Sequence, residues 1–403
     1  MRPPNILLIV ADDLGFDDLP AEARDDDSTS NLDRLAAEST RFDRFYTAGA
    51  VCSPTRASLL TGRYPQRFGF RYPPRGLPSE ITTLPELLHD RGYVTHHVGK
   101  WHIGSQPASV RPNAQGFDTF FGFLHARSLT PNGPGYHDPR LVRDEGSPKP
   151  YEGHLTEILT EETIRLIESA STERPWLINL WYFAPHEPIE PPGQPGGATQ
   201  GDGVTAYREL IGAMDAGIGR ILEALRATGQ SDRTVVVFIS DNGSPETRHN
   251  RPLLGGKTQF FEGGTRVPFL MRVPGEATPP RVDQVVSSLD LYPTLAALAG
   301  AELRESVLLG ESPLCAVLAA RSAAQPRDRR HEPDRSRYRL RRHRRDRSLA
   351  ICLRGRDRIA LGSRGRCHGQ HERVARASRT RGRARGSDRS LGVRDREHSG
   401  AHR

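Results

Sequence analysis

Short runs of apolar, β-branched and aromatic residues alternate along the chain with longer stretches of helical periodicity. Runs of this length suit buried strands, and strands that alternate with helices are typical of a parallel sheet. The pattern therefore predicts an α/β fold with a mainly parallel central sheet flanked by helices. The predicted strands are residues 6–10, 94–98, 176–181, 234–240 and 269–273.

The clearest helix is predicted over residues 207–228, because apolar residues recur there at helical spacing. A stripe of this kind is typical of a helix that packs on a core. A second helical pattern covers residues 288–300 and ends at Gly300, a residue type that suits the end of a helix. We expect the folded body to end near this point. The residues of the first stripe are Leu210, Met214, Ile218, Ile221 and Leu225.

Two segments rich in proline and glycine, residues 127–153 and 187–203, are predicted to be long loops. Long loops of α/β proteins commonly carry function, so we expect both to rim the active site. Three polar residues of the first segment or just before it are expected near the pocket, although an ordinary loop surface would look the same. They are His125, Arg127 and Ser128.

The net charge of +8 conceals two different parts of the chain. Residues 1–320 hold 27 Arg and 3 Lys against 40 acidic residues, a net charge of −10. Residues 321–403 hold 27 Arg, no Lys and 9 acidic residues, a net charge of +18. A basic composition that would suggest nucleic-acid binding is therefore confined to the last fifth of the chain.

The lengths of the apolar runs and the positions of the cysteines exclude further classes of protein. The longest apolar runs, residues 6–10 and 235–239, are strand-sized, whereas about 20 residues are needed to span a bilayer, so we expect no membrane partner. The chain enters a strand at Asn5 without a secretory signal, which predicts a cytoplasmic protein. Only Cys52 precedes Cys315, so the body has no second cysteine for a disulfide.

Two pairs of oxygen-bearing side chains follow predicted strands. Asp12 and Asp13 come after the first strand, and Asp241 and Asn242 come after the fourth. A single Asp after a strand usually caps a helix or makes a turn. Ligands of parallel sheets collect where the strands end, so two such pairs at one edge favour a divalent cation, calcium or magnesium.

Basic side chains are predicted at the same edge. Lys100 and His102 follow the second strand, and His186 follows the third. A lone histidine is usually structural, but these three share one edge of the sheet. The chain has only three lysines against 54 arginines, which suggests that Lys100 and Lys257, both next to glycines, are needed as compact ammonium groups. Lys149 is interpreted as an ordinary solvated side chain.

A short helix is predicted to begin near Cys52. Pro54 suits the first turn of a helix and Gly62 its end, which places Cys52 among the free N–H groups of a helix N-terminus. Arg56 lies in that first turn, where its charge opposes the helix dipole. A purely structural helix gains nothing from that arginine, whereas a site for an anionic substrate does.

The segment Cys52-Ser53-Pro54-Thr55-Arg56 resembles the Cys-X-Pro-X-Arg signature of type I sulfatases, which belong to the alkaline phosphatase superfamily. In that family the cysteine is oxidised after translation to formylglycine. The resemblance covers about three quarters of the chain, residues 5–300. Supporting segments are residues 57–62, 5–15, 99–104, 116–118, 240–243, 255–268 and 290–300.

The resemblance implies an alkaline phosphatase-like fold and hydrolysis of a sulfate ester, aryl or sugar, after a formylglycine-generating or radical enzyme has matured Cys52. One hydroxyl of the hydrated aldehyde attacks sulfur, and loss of the second hydroxyl's proton then expels sulfate. The implied metal ligands are Asp12, Asp13, Asp241, Asn242 and the hydrated residue 52, with Ca²⁺ favoured over Mg²⁺. The implied catalytic residues are Arg56 and Lys100 at the hydrate, His102 as base, and Lys257 and His186 at the sulfate and leaving group.

Other functions stay open at this point. Relatives with the same motif cleave phosphonate or phosphate esters, and a site built from a metal, lysine and histidine can serve either tetrahedral anion. A second alternative is an inactive, truncated or unmodified sulfatase whose +18 tail binds nucleic acid. We expect no nucleic acid partner, since the tail lacks lysine and begins where the family sequence stops.

The chain is predicted to divide into a catalytic domain, residues 1–302, and an Arg-rich tail, residues 303–403. Family members follow the helix at residues 290–300 with a small antiparallel subdomain that helps to wall the pocket. Here that pattern is missing or replaced, and the tail has too little apolar content to offset the entropy of ordering. We expect the tail to be disordered, or the product of a shifted reading frame that starts between Leu303 and Arg321.

Overall fold

The computed structural model describes residues 2–19, 28–70, 76–131, 133–196, 203–275 and 281–303. The predicted Arg-rich tail, its predicted frame shift and the predicted loss or replacement of the family's subdomain fall almost wholly on residues 304–403, which lie outside the described residues.

Helices and strands alternate along the described chain. The helices are α1 (Ser30–Ala37), α2 (Cys52–Thr61), α3 (Leu84–His89), α4 (Leu155–Ser169), α5 (Gly203–Ala227), α6 (Glu262–Thr265) and α7 (Leu291–Leu298). The strands are β1 (Asn5–Ala11), β2 (Thr40–Arg41), β3 (Phe45–Tyr46), β4 (Val94–Lys100), β5 (Thr119–Phe123), β6 (Leu129–Thr130), β7 (Gly133–Pro134), β8 (Arg140–Arg143), β9 (Lys149–Pro150), β10 (Trp176–Trp181), β11 (Thr234–Ser240), β12 (Phe269–Arg272) and β13 (Val286–Ser287).

The central sheet has the order β2-β12-β11-β1-β10-β4-β5-β8-β6-β7, with β9 paired to β8. Strands β11, β1, β10, β4 and β5 run parallel to one another, so the predicted α/β fold with a mainly parallel sheet is confirmed. Two details differ from the prediction. β12 runs antiparallel at one side, and β5 is a parallel strand that the sequence pattern did not reveal. A short separate sheet pairs β3 with β13.

Both faces of the sheet are covered by helices. Ile6, Leu8 and Val10 of β1 face the core formed with α2, α3 and α7, whereas Leu7 and Ile9 face the core formed with α1, α4 and α5. A parallel strand that is buried on both faces has no polar side, which explains the unbroken apolar run of β1. No helix among the described residues is long and apolar enough to cross a membrane.

The two predicted helices are present with small changes at their ends. α5 spans Gly203–Ala227, and its predicted stripe is buried throughout. The second pattern begins with a 3-10 turn at Ser288–Asp290 and continues as α7. Gly300 adopts a left-handed φ of 70° directly after the C-cap residue Ala299, so glycine is used here for its conformational freedom.

One of the two predicted loops is more ordered than expected. Residues 127–153 contain the short strands β6, β7, β8 and β9, which extend the sheet beyond β5 in antiparallel fashion. Proline and glycine were misleading here because very short strands at a sheet edge tolerate both. Residues 187–196 contain no helix or strand, and residues 197–202 lie outside the described part of the chain.

Candidate active site

Strands β1, β11, β4 and β10 end at one edge of the sheet, and the predicted site residues lie there. The main chain after β1 stays in register with its neighbours, since the Asp12 amide donates to Ala184 O at 3.1 Å and the Asp241 amide donates to Ala11 O at 3.1 Å. The structure thereby brings both predicted oxygen-bearing pairs together, as expected for the carboxyl ends of parallel strands.

Cys52 is the first residue of α2 and is buried against Asp12, with Sγ 3.4 Å from Asp12 Oδ1. The helix ends at Gly62, whose φ is 63°, as the sequence predicts. Burial raises the pKa of the Cys52 thiol well above its usual range, although the Lys100 charge opposes this. Within the described residues Cys52 forms no disulfide. The unmodified thiol is therefore a poor nucleophile at neutral pH.

Arg56 and Lys100 neutralise two buried carboxylates. Arg56 contacts Asp241 Oδ2 at 2.7 Å and Asp12 Oδ2 at 3.3 Å, and Lys100 Nζ pairs with Asp12. All four side chains are fully buried, and the Arg56 guanidinium also lies 5.1 Å from the centre of the Trp181 ring. We call these four residues the sealed group.

The charges of the sealed group shift its pKa values in opposite directions. Burial would raise the pKa of Asp12, but Lys100, His186 and Arg56 together hold it far below its ordinary value. Burial and the neighbouring charge of Asp12 raise the pKa of Asp241, although Arg56 opposes this. Burial and the nearby Asp12 charge thus disfavour the ionised form of Asp241, and a cation bound beside the two carboxylates would favour it.

Asp13, Asn242, Lys257 and His186 form a second cluster, which we call the open group. Asp13 accepts from Lys257 Nζ at 2.7 Å and from Asn242 Nδ2 at 2.7 Å, and its Oδ2 lies 3.7 Å from His186 Nε2. The backbone of Asp13 is left-handed, with φ of 72°, a conformation that is uncommon outside glycine. The Asp13 charge raises the pKa of Lys257, although burial opposes this, so its ammonium stays charged.

His102 lies two residues beyond β4, with φ of 52° and its amide donating to Leu124 O at 3.2 Å. Burial lowers the pKa of His102, and the positive charges of Lys100 and Arg56 lower it further. His102 is therefore neutral at physiological pH, the state in which an imidazole can accept a proton. The structure thus places it beside the sealed group, in agreement with the predicted location.

Four side chains at this edge of the sheet could together hold a metal ion. One atom each from Asp12, Asp13, Cys52 and His186 lies within 4.8 Å of the others. The buried Asn242 Oδ1 accepts no hydrogen bond from the described residues, and a buried oxygen without a partner is costly unless a ligand uses it. The sequence did not indicate that His186 lies this close to the predicted ligands.

Two of the three polar residues expected near the pocket have ordinary partners, and the third is exposed. Ser128 is buried and donates to Gly135 O, Arg127 pairs with Glu187, and His125 is exposed. Lys149 is exposed in β9, as expected of a solvated side chain. The Arg127–Glu187 pair is adjacent to the site because Glu187 directly follows His186, and His125 directly follows Leu124, whose carbonyl accepts from the His102 amide.

Sequence reasoning missed two buried residues that contact the main chain of the site. Nε2 of His97, in β4, lies 3.2 Å from the Lys100 carbonyl oxygen, which also accepts from Arg56 Nη1 at 3.2 Å. Tyr136 donates to the carbonyl of His186 at 2.8 Å. Tyr136 lies in the segment flagged for proline and glycine, whereas no sequence signal distinguished His97 from its neighbour His96.

Comparison with known proteins gives a consistent result. The Sulfatase family model matches residues 4–301. Human N-acetylgalactosamine-6-sulfatase is 38% identical over 74% of this chain, and human arylsulfatase A is 36% identical over 77%. The chain covers 62% and 66% of the length of these relatives, respectively. The crystal structure of Ps i-CgsB in complex with k-i-k-neocarrahexaose matches with a TM-score of 0.72 and 32% identity, covering 79% of this chain and 77% of that one.

Proposed function

Because the chain belongs to the sulfatase family, we propose that it is a sulfuric ester hydrolase whose nucleophile is residue 52 after oxidation of Cys52 to formylglycine. The observation that carries the proposal is the position of Cys52 at the start of α2, buried beside Asp12 and without a disulfide among the described residues. Since burial suppresses the thiolate, the cysteine serves better as a precursor than as a nucleophile.

The proposed metal is Ca²⁺, held by Asp12, Asp13, Asp241, Asn242 and the hydrated residue 52. Ca²⁺ accepts about six to eight oxygen ligands in a flexible geometry, whereas Mg²⁺ is commonly held by one or two carboxylates and keeps its waters. Three carboxylates and an amide at one strand edge suit the larger ion. A bound divalent cation would supply positive charge to the sulfate oxygens and favour the ionised form of a neighbouring hydroxyl.

The chain's own residues divide the remaining work between the two groups. Arg56 and Lys100 hold Asp12 and Asp241 in place and carry the positive charge next to residue 52. Lys257 and His186 reach the site from the side of Asp13, where one can donate a proton to the departing oxygen. His102, kept neutral by burial, is proposed as the base that takes the last proton and lets sulfate leave.

Sulfated sugars are the substrate class that we propose. Support comes from the relatives, since one is named N-acetylgalactosamine-6-sulfatase and a structural neighbour was solved with an oligosaccharide, k-i-k-neocarrahexaose. Aryl sulfates share the same reacting group and serve as convenient probes. We also propose that residues 1–302 form the catalytic domain, which the extent of the family match supports.

The proposal is tested with protein co-expressed with a formylglycine-generating enzyme. Mass spectrometry of the peptide that contains residue 52 should show the aldehyde, and kcat/KM should be higher for 4-nitrophenyl sulfate than for the matched phosphate and phenylphosphonate esters. Ser53→Ala is the matched control, because Ser53 is also buried in α2 and its Oγ has no hydrogen-bond partner among the described residues. An unmodified thiol, or a preference for phosphonate, would contradict the proposal.

A further inference from the structure

The turn that carries His186 is held by its own main chain and by an aromatic stack. The His186 amide donates to Phe183 O at 2.8 Å, and the Phe183 ring stacks on the His186 imidazole with ring centres 4.8 Å apart. His186 Nδ1 lies 2.6 Å from Glu187 O, which can only accept, so Nδ1 carries a proton and Nε2 points to the site.

Tyr136 lies behind this turn and binds both of its ends. Its hydroxyl lies 2.8 Å from the His186 carbonyl oxygen and 3.0 Å from the Phe183 carbonyl oxygen. Its ring packs between His154, stacked at 5.2 Å, and Phe183, tilted at 4.8 Å. The Tyr136 side chain thus contacts both the first and the last residue of the turn, Phe183 and His186.

The main chain of Tyr136 is fixed independently of the turn. Its amide donates to Glu190 Oε2 at 2.8 Å, and its carbonyl accepts from the Leu155 amide, at the start of α4, at 2.8 Å. Tyr136 is fully buried, so it cannot meet a substrate, and burial raises the pKa of its hydroxyl well above the usual value. The hydroxyl therefore remains a neutral donor at every working pH.

We propose that Tyr136 is a positioning residue for His186, with its hydroxyl fixing the Phe183 and His186 carbonyls so that the imidazole Nε2 is aligned with the leaving-group oxygen. This inference rests on the proposed sulfatase function. For this step His186 enters as the imidazolium, with one proton on Nδ1 held by Glu187 O and a second proton on Nε2. When the S–O bond breaks, the leaving oxygen keeps the electron pair and takes the Nε2 proton, and the neutral imidazole that remains takes up a proton from solvent. Alignment matters most for leaving groups that cannot depart without this proton.

The test is Tyr136→Phe, which removes the hydroxyl and keeps the ring. For a sulfate ester of a weakly acidic alcohol, we expect kcat to fall about tenfold. For 4-nitrophenyl sulfate, we expect kcat to change less than about twofold. KM should stay within about twofold for both substrates. The defect should therefore grow as the leaving group becomes less acidic. His186→Ala should show the same trend more strongly, and Tyr136→Phe should add nothing to it.

Tyr182→Phe is the matched control. Tyr182 is equally buried, and its hydroxyl lies 2.6 Å from Thr160 Oγ1 in α4, away from the His186 turn. Tyr136→Phe loses the hydroxyl contacts to two carbonyls and Tyr182→Phe loses the contact to Thr160, so both variants should lose thermal stability, but Tyr182→Phe should show no dependence on the leaving group. An equal response of the two variants would overturn the proposal, because it would show that Tyr136 only stabilises the fold.

A further variant covers the case in which Tyr136→Phe does not fold. His154→Leu removes the ring that stacks on Tyr136 and should give the same dependence on the leaving group, and its absence would overturn the inference. Different results would contradict the proposed function itself: full activity of Cys52→Ala, or no sulfatase activity of the wild type. If only the inference about Tyr136 is wrong, the wild type is still active and Cys52→Ala is still inactive.

Discussion

The sealed and open groups of the site differ in how their charges are compensated. In the sealed group, two carboxylates meet two cationic side chains with no solvent contact, and α2 and the strand ends hold all four residues. In the open group, Asp13 meets Lys257, whose side chain is 18% exposed, and His186, on segments between regular elements. The sealed group thus bears the energetic cost of fully buried charge, whereas the open group includes one partly exposed cation, Lys257.

This difference has an energetic consequence. Removing one partner of a buried ion pair leaves an uncompensated charge and costs about 3–5 kcal/mol of stability. Partly exposed pairs are screened by water and cost far less. Substitutions in the sealed group should therefore reduce metal affinity, stability and turnover together. In the open group, substitution of Lys257 or His186 should mainly reduce turnover, whereas substitution of the proposed ligands Asp13 and Asn242 should also reduce metal affinity.

The largest effect is expected for Cys52→Ser, at the junction of the two groups. Serine keeps one hydroxyl but cannot form the aldehyde hydrate, so no second hydroxyl remains to expel sulfate. We expect turnover to fall by about 10⁴-fold or more, as is usual on loss of a nucleophile. A burst of alcohol release without turnover, followed with 4-nitrophenyl sulfate, would show that the attack survives and the second step is lost. Turnover near the wild-type level would contradict the assignment.

The second prediction concerns Asp241→Ala in the sealed group. The change removes a proposed metal ligand and leaves the buried Arg56 without its partner at 2.7 Å. We expect a free energy of unfolding lower by about 3–5 kcal/mol, together with loss of bound metal and of turnover. Urea unfolding and elemental analysis of the purified protein measure the two quantities. Normal metal content with normal stability would show that Asp241 has neither role.

The third prediction applies the comparison to the open group. Lys257→Ala and His186→Ala should each lower kcat by about 10²- to 10⁴-fold, because each removes a candidate proton donor, while metal content and melting temperature change little. His186→Ala is the more informative variant for metal content, since one ring nitrogen of His186 lies within 4.8 Å of the candidate ligand atoms of Asp12, Asp13 and Cys52. Metal loss in His186→Ala equal to that in Asp241→Ala would show that His186 is itself a metal ligand.

The sequence is most informative where strand ends define the site. Asp12 and Asp241 follow apolar runs and Lys100 follows the predicted strand at residues 94–98, so the rule that parallel strands end at one edge suffices to place them together. Cys52 is placed by the proline and glycine that bound α2. These signals depend only on residues that are neighbours along the chain, so a single sequence is enough to recognise them.

Contacts between distant segments could not be predicted in this way. β5 is hard to recognise because Gly122 interrupts an otherwise aromatic run, and there the missing side chain lets the backbone of Gly99 approach. Tyr136 reaches the His186 turn across 50 residues, and nothing in its neighbourhood marks that partner. The roles predicted for His102, His186 and Lys257 in catalysis remain predictions, since the structure shows their location alone.

The smallest effect is expected for His97, which lies beneath the sealed group in a cage of aromatic rings that includes Trp101 and Trp181. Burial lowers the pKa of His97 to about 3, although its bond to the Lys100 carbonyl opposes this, whereas an unfolded histidine titrates near about 6.5. Between these pH values the unfolded chain binds a proton that the folded chain does not. Stability must therefore fall on acidification through this window, by at most about 1.4 kcal/mol per pH unit for this one group.

His97→Gln tests this contribution, because glutamine can still donate to the Lys100 carbonyl but takes up no proton. Between pH 6.5 and pH 4.5 its free energy of unfolding, measured with urea, should fall less than that of the wild type, by up to about 2–3 kcal/mol. His125→Gln, at an exposed histidine, should follow the wild type. Turnover at neutral pH should change little in His97→Gln, since the donor to the Lys100 carbonyl is kept. Parallel curves for His97→Gln and the wild type would mean that His97 does not stay neutral within the fold, and that the base of the sealed group admits a proton or water.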